Sequence, residues 1–458
     1  MKSIVLALIG VCSALSLYAT HGLGGEMTFR QIAPNTVEAS AHIYYKDGGA
    51  FTWRDSISIS FGDGNVGYAV RYNGIDENGN GIPEGELIPG TDVRHSIYRA
   101  IHVYENTGEY VLSTSPVNRL DGIYNINFPN SGQVRFHIQA TVRLTNDNTP
   151  NHSPLLFEPA VVDMGGADEI FRHTPNAFDP DGDSIVYRLI VPLHNVNNQV
   201  PNYDETLLET NIDLVTGMLE VEPSRSGIFV LAVEVVTYRN GVVQDNLVRD
   251  MMIVINDFEL KPPILSLSNV LPEQEVLVGD TVVINAAALS QPYGDPIHLT
   301  CTGGLFEYFG NPATFDSLSA ADLVDGTFEW IVEPEDLREA PYQIVFKARD
   351  DGSPYGLSTL IPIRFRVVEE LTSAEDFQNE DHLRLFPNPA TESLQISGLE
   401  HTGPVNYEIR SASGQLLQSG TVQQSGSPLN VSSLPKGWYV LTVLLPDGQQ
   451  RPLPFIKQ

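Results

Sequence analysis

Val37-Glu38-Ala39-Ser40-Ala41-His42-Ile43-Tyr44 alternates apolar with polar side chains, and Ser56-Ile57-Ser58-Ile59-Ser60-Phe61 does so again. A period of two belongs to an extended chain with one buried face, because successive side chains of a strand point to opposite sides. Between such runs stand Gly48-Gly49, Gly62-Asp63-Gly64 and Asn73-Gly74. Glycine tolerates the backbone angles of tight turns, so these mark the reversals between strands. The pattern extends outward: the chain of 458 residues has 38 glycines, 31 prolines, 42% hydrophobic residues and only short apolar runs. An all-β chain is expected, and at ~100–200 residues per domain it holds about three or four domains.

The formal net charge is −31. From Asp381 onward acids and bases balance, so the excess acid lies between residues 20 and 380. A body this acidic argues against nucleic-acid binding, which needs a basic face. It suits a soluble surface protein and it suits calcium. Lys2, the apolar stretch Ile4 to Val11 and the small-residue site Leu17-Tyr18-Ala19 read as a signal peptide over residues 1–19. Val11 is too large for the position before a lipid-bearing Cys12. Removal of the leader leaves Cys301 alone, without an internal disulfide, and its apolar strand-like surroundings predict a buried, inert thiol. No other apolar stretch reaches the ~20 residues that span a bilayer, so no transmembrane span is expected.

Phe61-Gly62-Asp63-Gly64, followed by His102-Val103-Tyr104 and Gly108-Glu109-Tyr110, resembles the PKD domain, a β-sandwich of bacterial surface proteins. The family's usual Trp before the turn is missing. The resemblance implies a PKD-like sandwich over residues 20–147, with His102 a strand residue rather than a ligand. Asn176-Ala177-Phe178-Asp179-Pro180-Asp181-Gly182-Asp183-Ser184-Ile185-Val186-Tyr187 opens a segment, 148–257, that resembles a cadherin-like or Ig-like module. Residues 258–370 repeat its plan: Gly182-Asp183-Ser184-Ile185 corresponds to Gly294-Asp295-Pro296-Ile297, and Gly217-Met218-Leu219-Glu220 to Gly326-Thr327-Phe328-Glu329, about 110 residues on. Lys261-Pro262-Pro263 reads as a stiff junction between the copies.

Residues 371–380 read as a polar, acidic linker. Then Leu383-Arg384-Leu385-Phe386-Pro387-Asn388-Pro389 opens a last domain, 381–458, which continues with a strand and the turn Gly414-Gln415, Leu434-Pro435-Lys436-Gly437-Trp438-Tyr439, and Lys457 near the end. This resembles the type A C-terminal sorting domain of type IX secretion in Bacteroidetes; Gln415 replaces the commoner Lys. Pro387 and Pro389 fix the backbone on either side of Asn388, and Gly437 permits a sharp turn before the aromatic strand. The resemblance implies a β-sandwich read by the outer-membrane translocon and sorting machinery, with Pro387, Asn388, Pro389, Gly414, Gly437, Tyr439 and Lys457 as its signal. It also implies later removal of this domain, with the protein secreted or held at the cell surface.

Asp179, Asp181 and Asp183 alternate around a Pro and a Gly. A hard cation such as calcium wants several carboxylate oxygens converging on one point. The same residues would equally form a polar turn capping its own amides. In the second copy only Asp295 survives, with Gln291 and Tyr293 near the other two places. Asp76, Asn78 and Asn80 match the start of an EF-hand-like loop, but Leu87 stands where a bidentate Glu is expected and no helices flank it; a solvated loop with weak calcium affinity is expected there. Metalloprotease, nucleophile-elbow, P-loop and dinucleotide motifs are absent from the sequence. The expected function is non-catalytic, adhesin-like or structural, with surface glycans or other surface proteins as partners. The alternative is a carbohydrate-binding accessory of polysaccharide utilisation, for which Trp53 and Trp330 would be stacking residues, although both lie in core-like strands. An extracellular hydrolase comes third.

Overall fold

The computed structural model describes residues 22–48, 54–146, 149–161, 164–167, 169–257, 261–268, 270–290, 296–307, 310–320, 323–351, 356–369, 384–386, 390–397, 404–411, 416–422, 427–444 and 450–457. Among these the chain is all-β, with four single-turn 3-10 segments and no α-helix. It divides into two compact units between Glu370 and Leu371.

The opening alternation forms the strand Thr36–Lys46, hydrogen-bonded to Gly22–Ala33 on one side and Val93–Val103 on the other. Val37, Ala39, Ala41, Ile43 and Tyr45 are buried on one face, as period two requires. Tyr44, on the opposite face, is buried as well, packed with Ile123, Ala160, Val161 and Met251. The strand is therefore covered on both sides, partly by chain from beyond residue 147.

The sheet runs on through Val66–Arg71, Ser56–Ser60, Gly108–Thr114 and Ile138–Leu144, and then to Val242–Asn256, Gly227–Arg239 and Ser184–Ile190. Val242–Asn256 is 15 residues long. Its early part pairs with the first segment at Asn246↔Thr141 and Leu247↔Ala140. Its middle pairs with the first strand at Gly24↔Met251 and Gly25↔Asp250. One core holds Met27, Phe29, Ile59 and Phe136 together with Tyr187, Val233, Val235 and Leu247. The position 147/148 thus falls within a continuous sheet and a shared core. The physical reason is the reach of one long strand, whose unpaired edge is covered by first-segment strands.

The repeat holds at the level of topology. Ser184–Ile190, Gly227–Arg239 and Val242–Asn256 are antiparallel neighbours, with Met164–Gly166 parallel to the last. Ile297–Gly303, Tyr342–Asp350 and Ser358–Val368 repeat this order, with Glu273–Leu277 parallel to the last. Facing them, Phe171–His173, Leu219–Pro223 and Leu208–Ile212 match Thr281–Leu289, Leu323–Ile331 and Thr314–Ala320. Trp330 is fully buried in the core of the second copy, against Tyr342 and Phe365.

The copies are joined by polar bonds. Lys347 Nζ lies 3.2 Å from Glu158 Oε2, Thr302 Oγ1 donates to Glu158 Oε1 at 2.6 Å, and Gln343 Nε2 donates to the Thr216 carbonyl at 3.0 Å. Phe178, from the first copy, belongs to the core of the second.

The second unit is two small sheets. One orders Arg384–Phe386, Ser393–Ser397 and Pro428–Asn430; the other orders Leu416–Val422, Val405–Ser411, Gly437–Leu444 and Gln450–Lys457. Leu394, Ile396, Ile409, Leu441, Val443 and Phe455 share its core.

Candidate functional site

The turn before the strand Ser184–Ile190 brings Asp179, Asp181 and Asp183 together, with one oxygen of each within 4.8 Å of the others. Gly182, at φ +85, supplies the bend. Asp179 Oδ1 accepts from the amides of Asp181 at 2.9 Å and Asp183 at 3.0 Å. Its Oδ2 is buried and has no hydrogen-bond partner. Burial, with the charges of Asp183 and Asp181 adding to it, pushes the Asp179 carboxyl up to about 7.

Arg239 and His152 hold the other two acids. Arg239 grips Asp183 with two bonds, Nε to Oδ1 at 2.7 Å and Nη2 to Oδ2 at 2.9 Å. His152 reaches both oxygens of Asp181, through Nδ1 at 2.6 Å and its backbone amide at 2.7 Å. Arg239 arrives because Ser184 is registered opposite Tyr238. From the second copy, Arg338 Nη1 donates to the Asp179 carbonyl at 3.0 Å, while its Nε is buried without a partner. The guanidinium lies 4.9 Å over Phe178 and 5.1 Å over Tyr342, and burial lowers its basicity. Asp245 stands nearby, fully buried: Oδ2 accepts from Thr237 Oγ1 at 2.6 Å, Oδ1 has no partner, and burial raises its carboxyl.

Calcium takes six to eight oxygen ligands. Only one of these six carboxylate oxygens lacks a donor, and a metal would have to displace Arg239 and His152 from the rest. The acidic cluster expected from the sequence is present, with Asp183 paired to Arg239 and Asp181 hydrogen-bonded to His152. His152, Arg239, Asp245 and Arg338 were not foreseen as its partners. The Tyr238-Arg239-Asn240-Gly241 turn is visible in the sequence; Arg338, some 160 positions from Asp179, has no local signal.

The loop with Asp76, Asn78 and Asn80 closes on itself. Asp76 accepts from the amides of Gly79, Asn80 and Gly81, Asn78 from Asn80, and Asn80 from Ile82. Glu84 is fully buried beneath it and accepts from Asn78 Nδ2 and the Glu77 amide, both at 2.5 Å. The loop is therefore anchored on a buried carboxylate as well as solvated at its rim.

The aromatic motif of the first segment also assembles. His102 Nε2 lies 2.7 Å from Asp63 Oδ2, its ring stacks 4.1 Å from Phe61, and Tyr104 Oη donates to the Phe61 carbonyl at 2.9 Å. His102 is a strand residue bracing the turn. Beside it, Val66, Tyr68, Ile101 and Val103 are exposed.

In the second unit Gly437 begins its strand, and Tyr439 is buried, stacked on Phe455 and donating to the Pro435 carbonyl at 2.7 Å. Lys457 is buried, registered opposite Gly437 and bridged to Ala390. Pro387, Asn388, Pro389, Gly414 and Gln415 lie outside the described residues, as do Trp53, Gln291, Tyr293 and Asp295. Cys301 is half-buried in its strand, and burial raises its thiol.

Residues 384–450 match the secretion system C-terminal sorting domain. The chain carries a type IX sorting domain, which directs export across the outer membrane to the cell surface. No helix among the described residues is long and apolar enough to cross a membrane. No curated protein matches the chain. Solved structures similar to it include protocadherin gamma B2 extracellular cadherin domains 3–6, at 13% identity and TM-score 0.18, covering 67% of this chain and 72% of that one. Zebrafish RET cadherin-like domains 1 to 4 are similar at 10% identity and TM-score 0.17, covering 80% and 88%. A Bacteroides ovatus mixed-linkage glucan utilisation locus protein, SGBP-B, in complex with a mixed-linkage heptasaccharide, is similar at 18% identity and TM-score 0.15, covering 67% and 71%.

Proposed function

We propose that this chain is an exported, non-catalytic binding protein of the cell surface, adhesin-like in its action, whose body is delivered by the sorting domain and carries the recognition surface. The observation that carries this is the sorting-domain match at 384–450 behind an all-β body of packed sandwiches. The body's acid excess keeps it soluble once outside the cell. Presenting the mature body, residues 20–370, to glycan arrays and to whole cells, beside a turnover screen on polysaccharides and peptides, tests it. Binding without turnover is expected; turnover of any substrate overturns it. Fusing residues 371–458 to an inert reporter in a host with the export machine tests delivery; the reporter is expected at the cell surface.

Glycans are the partner class with a specific structural feature in their favour. Between the two copies lies a cleft of about 630 Å3 whose walls carry donors, acceptors and an aromatic ring together: Arg239, Arg338, Asp181, Ser184 and Tyr238. Sugar-binding sites use such mixtures, with polar groups fixing orientation and a ring covering an apolar face. Calcium is the competing occupant of the adjoining turn. Because Arg239 and His152 already occupy the oxygens of Asp183 and Asp181, a chelator is expected to leave the melting temperature unchanged in wild type and Asp181→Ala alike. A fall in wild type alone would establish an ion at the turn.

A further inference from the structure

We propose that the bare sheet face of the first segment, centred on Tyr68 and Ile101, is where two molecules of this chain meet, face on face about a two-fold axis. Val66, Tyr68 and Val70 point outward from Val66–Arg71, while Ala69 and Arg71 between and beside them are buried. Ile101 and Val103 point outward from Val93–Val103. The register Val70↔Arg99 puts both rows on one side of the sheet, and the His102–Asp63 bond ties the two stretches again at the far end. Exposure runs from 45% at Val70 to 78% at Tyr68. On the next strand Ser56 and Ser58, opposite Val70 and Tyr68, are short and exposed, so they shield neither. Exposed apolar groups clustered in this way mark a contact surface.

The same face is already covered further along. Val93, at the other end of its strand, is buried in one core with Tyr44, Ile123, Ala160 and Val161, and Tyr44 is registered opposite His95. The bare part continues that covered part along a single strand, through Ile97 and Arg99 to Ile101 and Val103. Charge selects the partner. The chain carries −31, so two molecules repel unless they meet where acids are missing. On the outward rows of these strands the carboxylate is Glu38, and Arg30 and Arg99 both pair with it, at 3.3 and 3.4 Å. The repeat copy at 258–370 gives the contrast: its exposed Leu318 is opposite Asp325 and its exposed Val283 opposite Glu329, both exposed acids.

The chemistry of the face disfavours a sugar. Four of its five apolar side chains are aliphatic, and the next ring, Tyr72, has the Arg99 guanidinium over it at 3.8 Å. A second sheet fits, because sheets pack face to face ~10 Å apart with strands aligned to within ~30°. An isologous contact supplies that second sheet from the same patch. A patch a few strands wide belongs with weak interfaces, which bury less than ~1,200 Å2 in total, so a dissociation constant of about 10–100 μM is expected. Delivery to one cell surface concentrates the molecules, and a weak contact then suffices.

The test is analytical ultracentrifugation of the exported chain, residues 20–458, from about 1 to 300 μM, a range that brackets the expected constant. Wild type is expected to pass from monomer to dimer. Tyr68→Glu and Ile101→Glu each place an acid against its own kind and are expected to raise the dissociation constant about tenfold or more. Both positions are exposed, so their melting temperatures are expected to stay near that of wild type. Tyr68→Phe keeps the face apolar, Leu318→Glu changes an exposed leucine elsewhere, and both are expected to dimerise as wild type does. A wild type that stays monomeric throughout overturns the proposal, and so does a dimer that both Glu variants retain or that Leu318→Glu abolishes. A monomeric wild type that instead sediments with microcrystalline cellulose, and loses this with Tyr68→Glu, gives the face to a glycan and overturns it as well.

Discussion

Arg249 and Arg119 are charges placed where charge is costly, and each is paired with a buried carboxylate. Arg249 meets Glu26 at 2.9 and 3.2 Å and also donates to the Glu158 carbonyl; Arg119 meets both Asp250 oxygens at 2.7 and 2.6 Å and the Leu193 carbonyl at 3.0 Å. Removing one partner strands the other in a dry core. Arg249→Met is expected to lower unfolding free energy by about 3–5 kcal/mol in urea titration. His137 makes the second residue-scale prediction. It is fully buried, and burial, aided by the charge of Arg119, lowers its pKa to about 4. The unfolded chain therefore binds that proton first, and stability is lost as pH falls from about 6.5 toward 4. His137→Gln is expected to remove about 2 kcal/mol of the difference between pH 7.5 and pH 5, read from melts at both. Asp179 tilts the other way. Its raised pKa means stability falls as pH rises from about 4 toward 7, so Asp179→Asn gains most above pH 7.

At the scale of the element, turns decide which strands meet. Gly62 has φ +83, and a Cβ there would lie 2.5 Å from the Val111 amide nitrogen; Gly64, at φ +92, has open space around it. Gly62→Ala therefore pushes the turn off the neighbouring strand and is expected to cost about 2–4 kcal/mol. Gly64→Ala meets only backbone strain and is expected to cost about 1 kcal/mol. Thermal unfolding of the two variants side by side separates the close approach from the dihedral. Asp63 reinforces the same turn. Burial would raise its carboxyl, but bonds from Asn65 and His102 outweigh that and bring it down to about 2. The strands themselves obey their alternation, since Leu323–Ile331 buries every second side chain from Val324 to Trp330.

At the scale of the molecule, the body is knit by long strands rather than strung as beads. Val233, Val235 and Leu247 fill a core whose other half comes from residues 27–144. A chain ending at residue 147 is therefore expected to lack cooperative unfolding and sharp near-ultraviolet dichroism, whereas one ending at 257 retains both. The copies are also held together by Glu158–Lys347 and Phe178, contacts that need no metal, so removing divalent metal is expected to leave the body's melting unchanged.

The all-β class, the turns, the internal repeat and the sorting domain were legible because each is written in local pattern: period two, Gly and Asp at reversals, and short motifs in fixed order. The Asp179–Asp181–Asp183 turn was legible for the same reason, since all three lie within five residues. Its partners were not. Arg338 and His152 reach it across tertiary contacts, and sequence spacing carries no information about which distant side chain enters a turn. Nor could alternation reveal that Tyr44 is covered from the far face, or that one strand would join two segments. Local chemistry sets what each stretch can become, while the partners of an edge, a charge or a cavity are settled only when the whole chain has packed.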